Sequence, residues 1–237
     1  MWLKKYYSEA PEGIRFSRSQ GSGFAKQVAD DFNPLHDEKA KLFCVPGDLL
    51  CAFVLSRYGV CGQMRFVFKG MVGDGVALRC NKTSGSELRF EDAAGKTYLD
   101  VERHGDCGTS PAVTEALTRC YVEFSGRNFP GVLVPLMADH GVMINPDRPL
   151  VIYESMEFDI QQLDVQEPKL ELENSTLEVK GRKGSVRLDF LLMDNGLPIG
   201  RGNKTMALRG LQPYDQARMG ELVEGYLAGK QAYVHPG

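Results

Sequence analysis

The sequence predicts an α+β protein built from two tandem copies of one unit, in which a buried helix precedes an antiparallel sheet. Three observations carry this expectation. The run L-L-C-A-F-V-L at residues 49–55 is apolar nearly all round, as a helix enclosed on every face must be. From Gln63 the pattern changes to period two, the signature of strands with one face toward a core. The same order then recurs in the second half of the chain, which points to an internal duplication.

Taken in order, Phe24, Ala25 and Val28 recur at helical spacing over residues 23–31. That helix stops near Asn33-Pro34, because proline disfavours helix in the residue before it. Asn33 can cap a next helix with Pro34 at its first position, predicting helix over 35–42. Val45-Pro46-Gly47 opens the apolar helix, which ends around Tyr58-Gly59. The segments R-F-V-F-K, V-A-L-R-C, E-L-R-F-E and T-Y-L-D-V-E then read as four strands joined by glycine-containing turns. In the second half, Asn128-Phe129-Pro130-Gly131 leads into V-L-V-P-L-M-A, a second apolar helix that Pro135 must kink or cut short. Strands follow at residues 156–160, 170–172, T-L-E-V-K, S-V-R-L-D-F-L-L and K-T-M-A-L. Met219, Leu222, Val223, Tyr226 and Leu227 then mark an amphipathic C-terminal helix. The expected division is 1–108, 109–212, and a helix and tail over 213–237.

Composition narrows the function. With 237 residues, 43% hydrophobic and 25% charged, the chain can bury a sizeable core. A formal charge of -3 argues against a dedicated nucleic-acid binder. No run approaches the roughly 18 apolar residues of a membrane span, and M-W-L-K-K-Y-Y has no apolar export segment. The six cysteines, Cys44, Cys51, Cys61, Cys80, Cys107 and Cys120, contain no C-x-x-C. Neither a zinc site nor a disulfide framework is expected, and a reducing cytoplasm fits.

The chemistry concentrates in D-F-N-P-L-H, residues 31–36. An acid at a helix end and an imidazole just beyond a tight turn could share a water, and imidazole exchanges protons near neutral pH. The same residues could equally serve only to end one helix and start the next, with Asp31 and His36 solvated. Gly47, at the head of the buried helix, would let a ligand approach backbone N–H groups that favour a developing oxyanion. His140 reads as a capping or packed histidine rather than a catalyst, and His104 and His235 as loop residues. Lys180, Arg182 and Lys183 form a basic hairpin able to grip phosphate, or simply a solvated turn.

Asp31-Phe32-Asn33-Pro34-Leu35-His36 resembles the D-x-N-P-[LIV]-H motif of MaoC-like dehydratases and type-2, (R)-specific enoyl-CoA hydratases of the hot dog superfamily, with a bacterial branch expected. The resemblance implies a double hot dog with an acyl-thioester tunnel between its units. It also implies roles: Asp31 and His36 activate water, Asn33 orients them, and the Gly47 N–H polarises the thioester carbonyl. The substrate would be a 2-enoyl or 3-hydroxyacyl thioester of coenzyme A or acyl carrier protein, with no other cofactor and no metal; the chain could pair as a homodimer. The family pattern has glycine where this chain has Asp30, and an H-G-M-like stretch where it has Pro46-Gly47-Asp48. The second half has no such motif, so at most one acid/base site per chain is expected. Two alternatives stand beside this lyase reading. One is a non-catalytic thioester-binding or regulatory protein, and the other a thioesterase using Asp48.

Overall fold

The computed structural model describes residues 2–82, 85–108 and 110–233; His235 lies outside them. Helix α1 spans Arg18–Gln27 and begins earlier than the apolar spacing suggests. A capping box starts it: Ser17 accepts the Gln20 N–H while the Gln20 side chain accepts the Ser17 N–H. The helix expected over 35–42 does not form. Only a 3-10 turn, Pro34–His36, appears, because Asp37 accepts the Lys39 N–H at 2.8 Å and competes with helical bonding. Helix α2, Gly47–Tyr58, is the enclosed helix the sequence promised, and it ends on Gly59 at φ 82°.

Helix α3, Pro111–Gly126, was not foreseen, although Thr114, Leu117, Thr118, Tyr121, Val122 and Ser125 place its buried face at helical spacing. It packs against α2. The expected apolar helix at 132–138 forms, irregular at its proline as expected: a π-helical turn, Phe129–Leu133, runs directly into the short α4, Val134–Asp139, which carries Pro135. The wider turn just before Pro135 accommodates the missing N–H. Helix α5 is Gln216–Ala232.

Eight strands form one antiparallel sheet. They are β1 Val60–Phe68, β2 Arg79–Lys82, β3 Glu87–Glu91, β4 Thr97–Gly108, β5 Leu150–Ile160, β6 Pro168–Lys180, β7 Lys183–Asp194 and β8 Leu197–Arg209. Their spatial order is β2-β3-β4-β1-β5-β8-β7-β6. Four strands from each half meet at β1 and β5, where Gln63 faces Asp159 and Val67 faces Ser155. In β7 burial alternates strictly, with Val186, Leu188, Phe190 and Leu192 inward. Two helix-and-sheet units fused through one continuous sheet make this the double hot dog the sequence predicts.

The join is also apolar: the core around Leu49, Phe53 and Phe66 takes in Tyr121, Met156, Leu192 and Ile199 from the second half. Residues 1–108 and 109–237 produced separately are therefore expected to be insoluble or to self-associate, and to complement when co-expressed. Two monomeric halves with cooperative melts would contradict the shared core.

Two expectations need correction. Cys61 and Cys107 form a disulfide, because the β1–β4 register sets them directly opposite one another. Sequence spacing of 46 residues carries no trace of that register. His104 is not in a loop but on β4, opposite Gln63. His140 does cap α4, its Nδ1 lying 2.9 Å from Leu136 O. No helix among the described residues is long and apolar enough to cross a membrane.

Candidate active site

A cavity of about 350 Å³ opens between the two units. Asp31, Asn33, His36 and Gly47 line it from the first unit; Ser125, Gly126, Asn128 and Tyr153 line it from the second. The turn after α1 delivers the first group. Asp30 stands there at φ 54°, the left-handed backbone that glycine adopts without strain and that an aspartate tolerates. Lys230 pairs with the Asp30 carboxylate.

Asn33 organises the turn twice. Its N–H donates to Asp31 Oδ1 at 2.9 Å, and its Oδ1 accepts the Leu35 N–H at 3.0 Å. His36 Nδ1 lies 2.7 Å from Cys44 O and must donate to it, since a carbonyl can only accept. In the neutral ring Nε2 is then the bare nitrogen, and it lies 3.9 Å from Asp31 Oδ2. Both side chains are 14% exposed. A third support comes from α5, where the Tyr226 hydroxyl reaches Asp31 Oδ1 at 3.4 Å and accepts the Phe32 N–H at 3.2 Å.

Burial pushes the Asp31 carboxyl above its ordinary value; the nearby His36 and the Asn33 N–H pull it part of the way back. A carboxyl raised in the folded state adds stability below its unfolded value, and loses it as pH rises through the folded one. Asp31→Asn should therefore melt higher relative to the parent at pH 7 than at pH 4. A difference of the opposite sign in paired thermal melts would contradict the burial argument.

Gly47 occupies the first turn of α2, whose N-cap, Pro46, supplies no side-chain bond, so the helix end keeps donors to offer. A Cβ there would come within 2.7 Å of the Tyr153 ring. Gly126 is tighter: a Cβ would meet Ala29 O at 1.6 Å, a backbone atom next to the Asp31 turn. Gly126→Ala should thus force the two units apart at the site, with a loss of roughly 1–3 kcal/mol. An unchanged denaturation midpoint would rule out this close contact.

Behind the cavity wall lies a buried polar cluster. Asp48, 2% exposed, accepts from Tyr121 at 2.7 Å, Ser125 at 2.7 Å and Tyr153 at 3.0 Å. Lys204 is fully enclosed and donates to Ser125 Oγ. Sequence reasoning missed Ser125, Asn128, Tyr153, Lys204 and Tyr226. One signal was present: Lys204 shares a strand face with Met206 and Leu208, so period two alone places a lysine in the core. Cys44 also lines the cavity, but burial pushes its thiol up to about 12, which keeps it protonated.

Lys180, Arg182 and Lys183 sit exposed at the β6–β7 turn and do not line the cavity. Lys183 is, however, the cross-strand neighbour of Arg209, which does. Among the described residues, no cluster of three or more His, Cys, Asp or Glu side chains could hold a metal ion.

Residues 1–217 match the family described as protein of unknown function (DUF3581). The chain belongs to that family. No curated protein matches this DUF3581 chain in sequence. Among solved structures, a MaoC-like dehydratase is similar at 10% identity, with 86% of this chain and 98% of that chain covered and a TM-score of 0.45. Acyl-CoA thioesterase II TesB2 from Mycobacterium marinum is similar at 7% identity, with 91% and 100% covered and a TM-score of 0.39. An N-terminal dehydratase from the difficidin assembly line is similar at 12% identity, with 76% and 87% covered and a TM-score of 0.38.

Proposed function

We propose that this DUF3581 protein processes acyl thioesters, and that the Asp31–His36 pair hydrates a 2-enoyl thioester or, in reverse, dehydrates a 3-hydroxyacyl thioester. One observation carries the reading: His36 Nδ1 is committed to Cys44 O, so the free Nε2 faces the Asp31 carboxyl across 3.9 Å on the cavity wall. A water held near both groups can give its proton to Nε2 while its oxygen adds to C3 of the enoyl chain. Asp31, whose protonated form burial favours, supplies a proton to C2. Proton return from Nε2 to Asp31 resets the pair. The Gly47 N–H, at the positive end of α2, is the group to polarise the thioester carbonyl.

The carrier end would lie at the mouth, where exposed Lys69 and half-buried Arg209 line the cavity, with Lys183 beside Arg209. These cations suit the phosphates of coenzyme A or of a carrier-protein arm. Asp48 is a poor candidate for activating water, because three hydroxyls already occupy its oxygens.

The test is to mix the protein with 2-enoyl and saturated thioesters of several chain lengths while following enoyl absorbance. Loss of the chromophore with formation of the 3-hydroxyacyl product supports the enzyme. Binding of both classes alike, with the chromophore intact, leaves a thioester-binding protein instead.

A further inference from the structure

Hydration at Asp31 and His36 makes no use of a second set of reactive groups in the same cavity. Ser125, at the end of α3, lines that cavity; its Oγ contacts Lys204 Nζ, lies 2.7 Å from Asp48 Oδ2 and is 2.6 Å from the Tyr153 hydroxyl. Lys204 is fully buried, and among the described residues its Nζ has no carboxylate within ion-pair distance; besides Ser125 it meets the Tyr153 ring, 3.5 Å from the centroid. Burial disfavours its ammonium form and pulls the lysine below its ordinary value, although Asp48 and Asp31 oppose this. Tyr121 and Tyr153 both donate to Asp48, so the carboxylate has other donors when the Ser125 proton turns to Nζ. Burial holds both phenols well above their ordinary value, so they remain donors.

Asn128 supplies a third, independent part. It is 4% exposed, it lines the cavity beside Ser125, and its Nδ2 has no hydrogen-bond partner among the described residues. A buried amide donor left unpaired is unfavourable; the Nδ2 atom is covered, and a turn of this side chain into the cavity it lines would let a carbonyl oxygen there satisfy it.

We propose that Ser125 is an acyl-accepting nucleophile, with Lys204 as its base and the Asn128 amide as donor to the oxyanion, so that the chain cleaves thioesters through an acyl-serine. The serine proton passes to the Lys204 amine as Oγ bonds to the thioester carbonyl carbon, and the carbonyl oxygen takes the electron pair against Asn128 Nδ2. The C–S bond then breaks, and the leaving thiolate takes the proton from Lys204. Water attacks the ester with Lys204 again as base, releasing a carboxylic acid and free Ser125. The sum is thioester plus water to acid plus thiol.

This proposal does not depend on hydration, and a saturated acyl group keeps the two apart. The full chain is incubated with the N-acetylcysteamine thioester and the p-nitrophenyl ester of one saturated acid, thiol and nitrophenolate release is followed, and acid-quenched samples are mapped by peptide mass spectrometry. The expected result is release with one acyl group on Ser125, and release at least ~10²-fold lower in Ser125→Ala and Lys204→Met. Absence of an acyl group on Ser125 in the parent overturns the proposal even if the variants fail to fold. Undiminished release in folded Ser125→Ala overturns it as well.

Discussion

Asp31→Asn and His36→Ala are each expected to lower the proposed enoyl-thioester hydration by ~10²- to 10⁴-fold, the usual cost of removing a positioned acid or base. The side chains face each other across 3.9 Å, and in the proposed reaction they pass one proton, so either loss should disable the unit. The double variant should then be little worse than either single one. Thioester affinity should barely move, because both residues act mainly in the transition state. Single-turnover rates and binding titrations on the four proteins check this. Additive losses, or a Kd that weakens in step with the rate, would mean the two groups work separately or only hold substrate.

Phe53→Ala costs roughly 3–5 kcal/mol, the range for truncating a buried phenylalanine. Phe53 is 4% exposed on α2, and its ring meets Tyr7, Phe16 and Phe90 edge-on at 5.0, 6.2 and 6.3 Å between centroids. Those rings come from the N-terminal segment and from β3, so no single neighbour can close the space. Such a loss takes a large part of a typical domain's 5–15 kcal/mol. Urea denaturation should show a lower midpoint with an unchanged slope. A midpoint within error of the parent would place α2 outside the core.

The legible parts of this fold were those written in local period. An apolar helix at residues 49–55 and alternating strands need no knowledge of what they meet, and Asp31, Asn33, His36 and Gly47 do line one cavity. What escaped depended on partners distant in sequence. The helix expected over 35–42 lost to a side-chain bond at Asp37, and the Cys61–Cys107 bridge exists only once β1 and β4 are in register. Helix α3 was overlooked, although Pro111 sits in its first turn, where proline starts a helix. With α3 missed, Ser125 and Asn128 had no place on the site. Lys204 was visible as a lysine on an apolar strand face, but only Ser125 and Tyr153, 79 and 51 positions earlier in the chain, explain why it is there. Tyr226 entered the site through its hydroxyl, whereas its helical spacing marked only its ring as core.

Two readings of the turn carrying Asp31 and His36 remain to be separated: the proposed proton-transfer centre for an enoyl thioester, and a structural corner. The most direct measurement follows enoyl absorbance and thermal melting together for the parent and His36→Ala. For a proton-transfer centre, the parent should consume the chromophore, and His36→Ala should not while melting close to the parent. A parent that leaves the chromophore intact, with a His36→Ala variant that melts well below it through the lost bond to Cys44 O, would contradict the account and reduce the turn to a structural element.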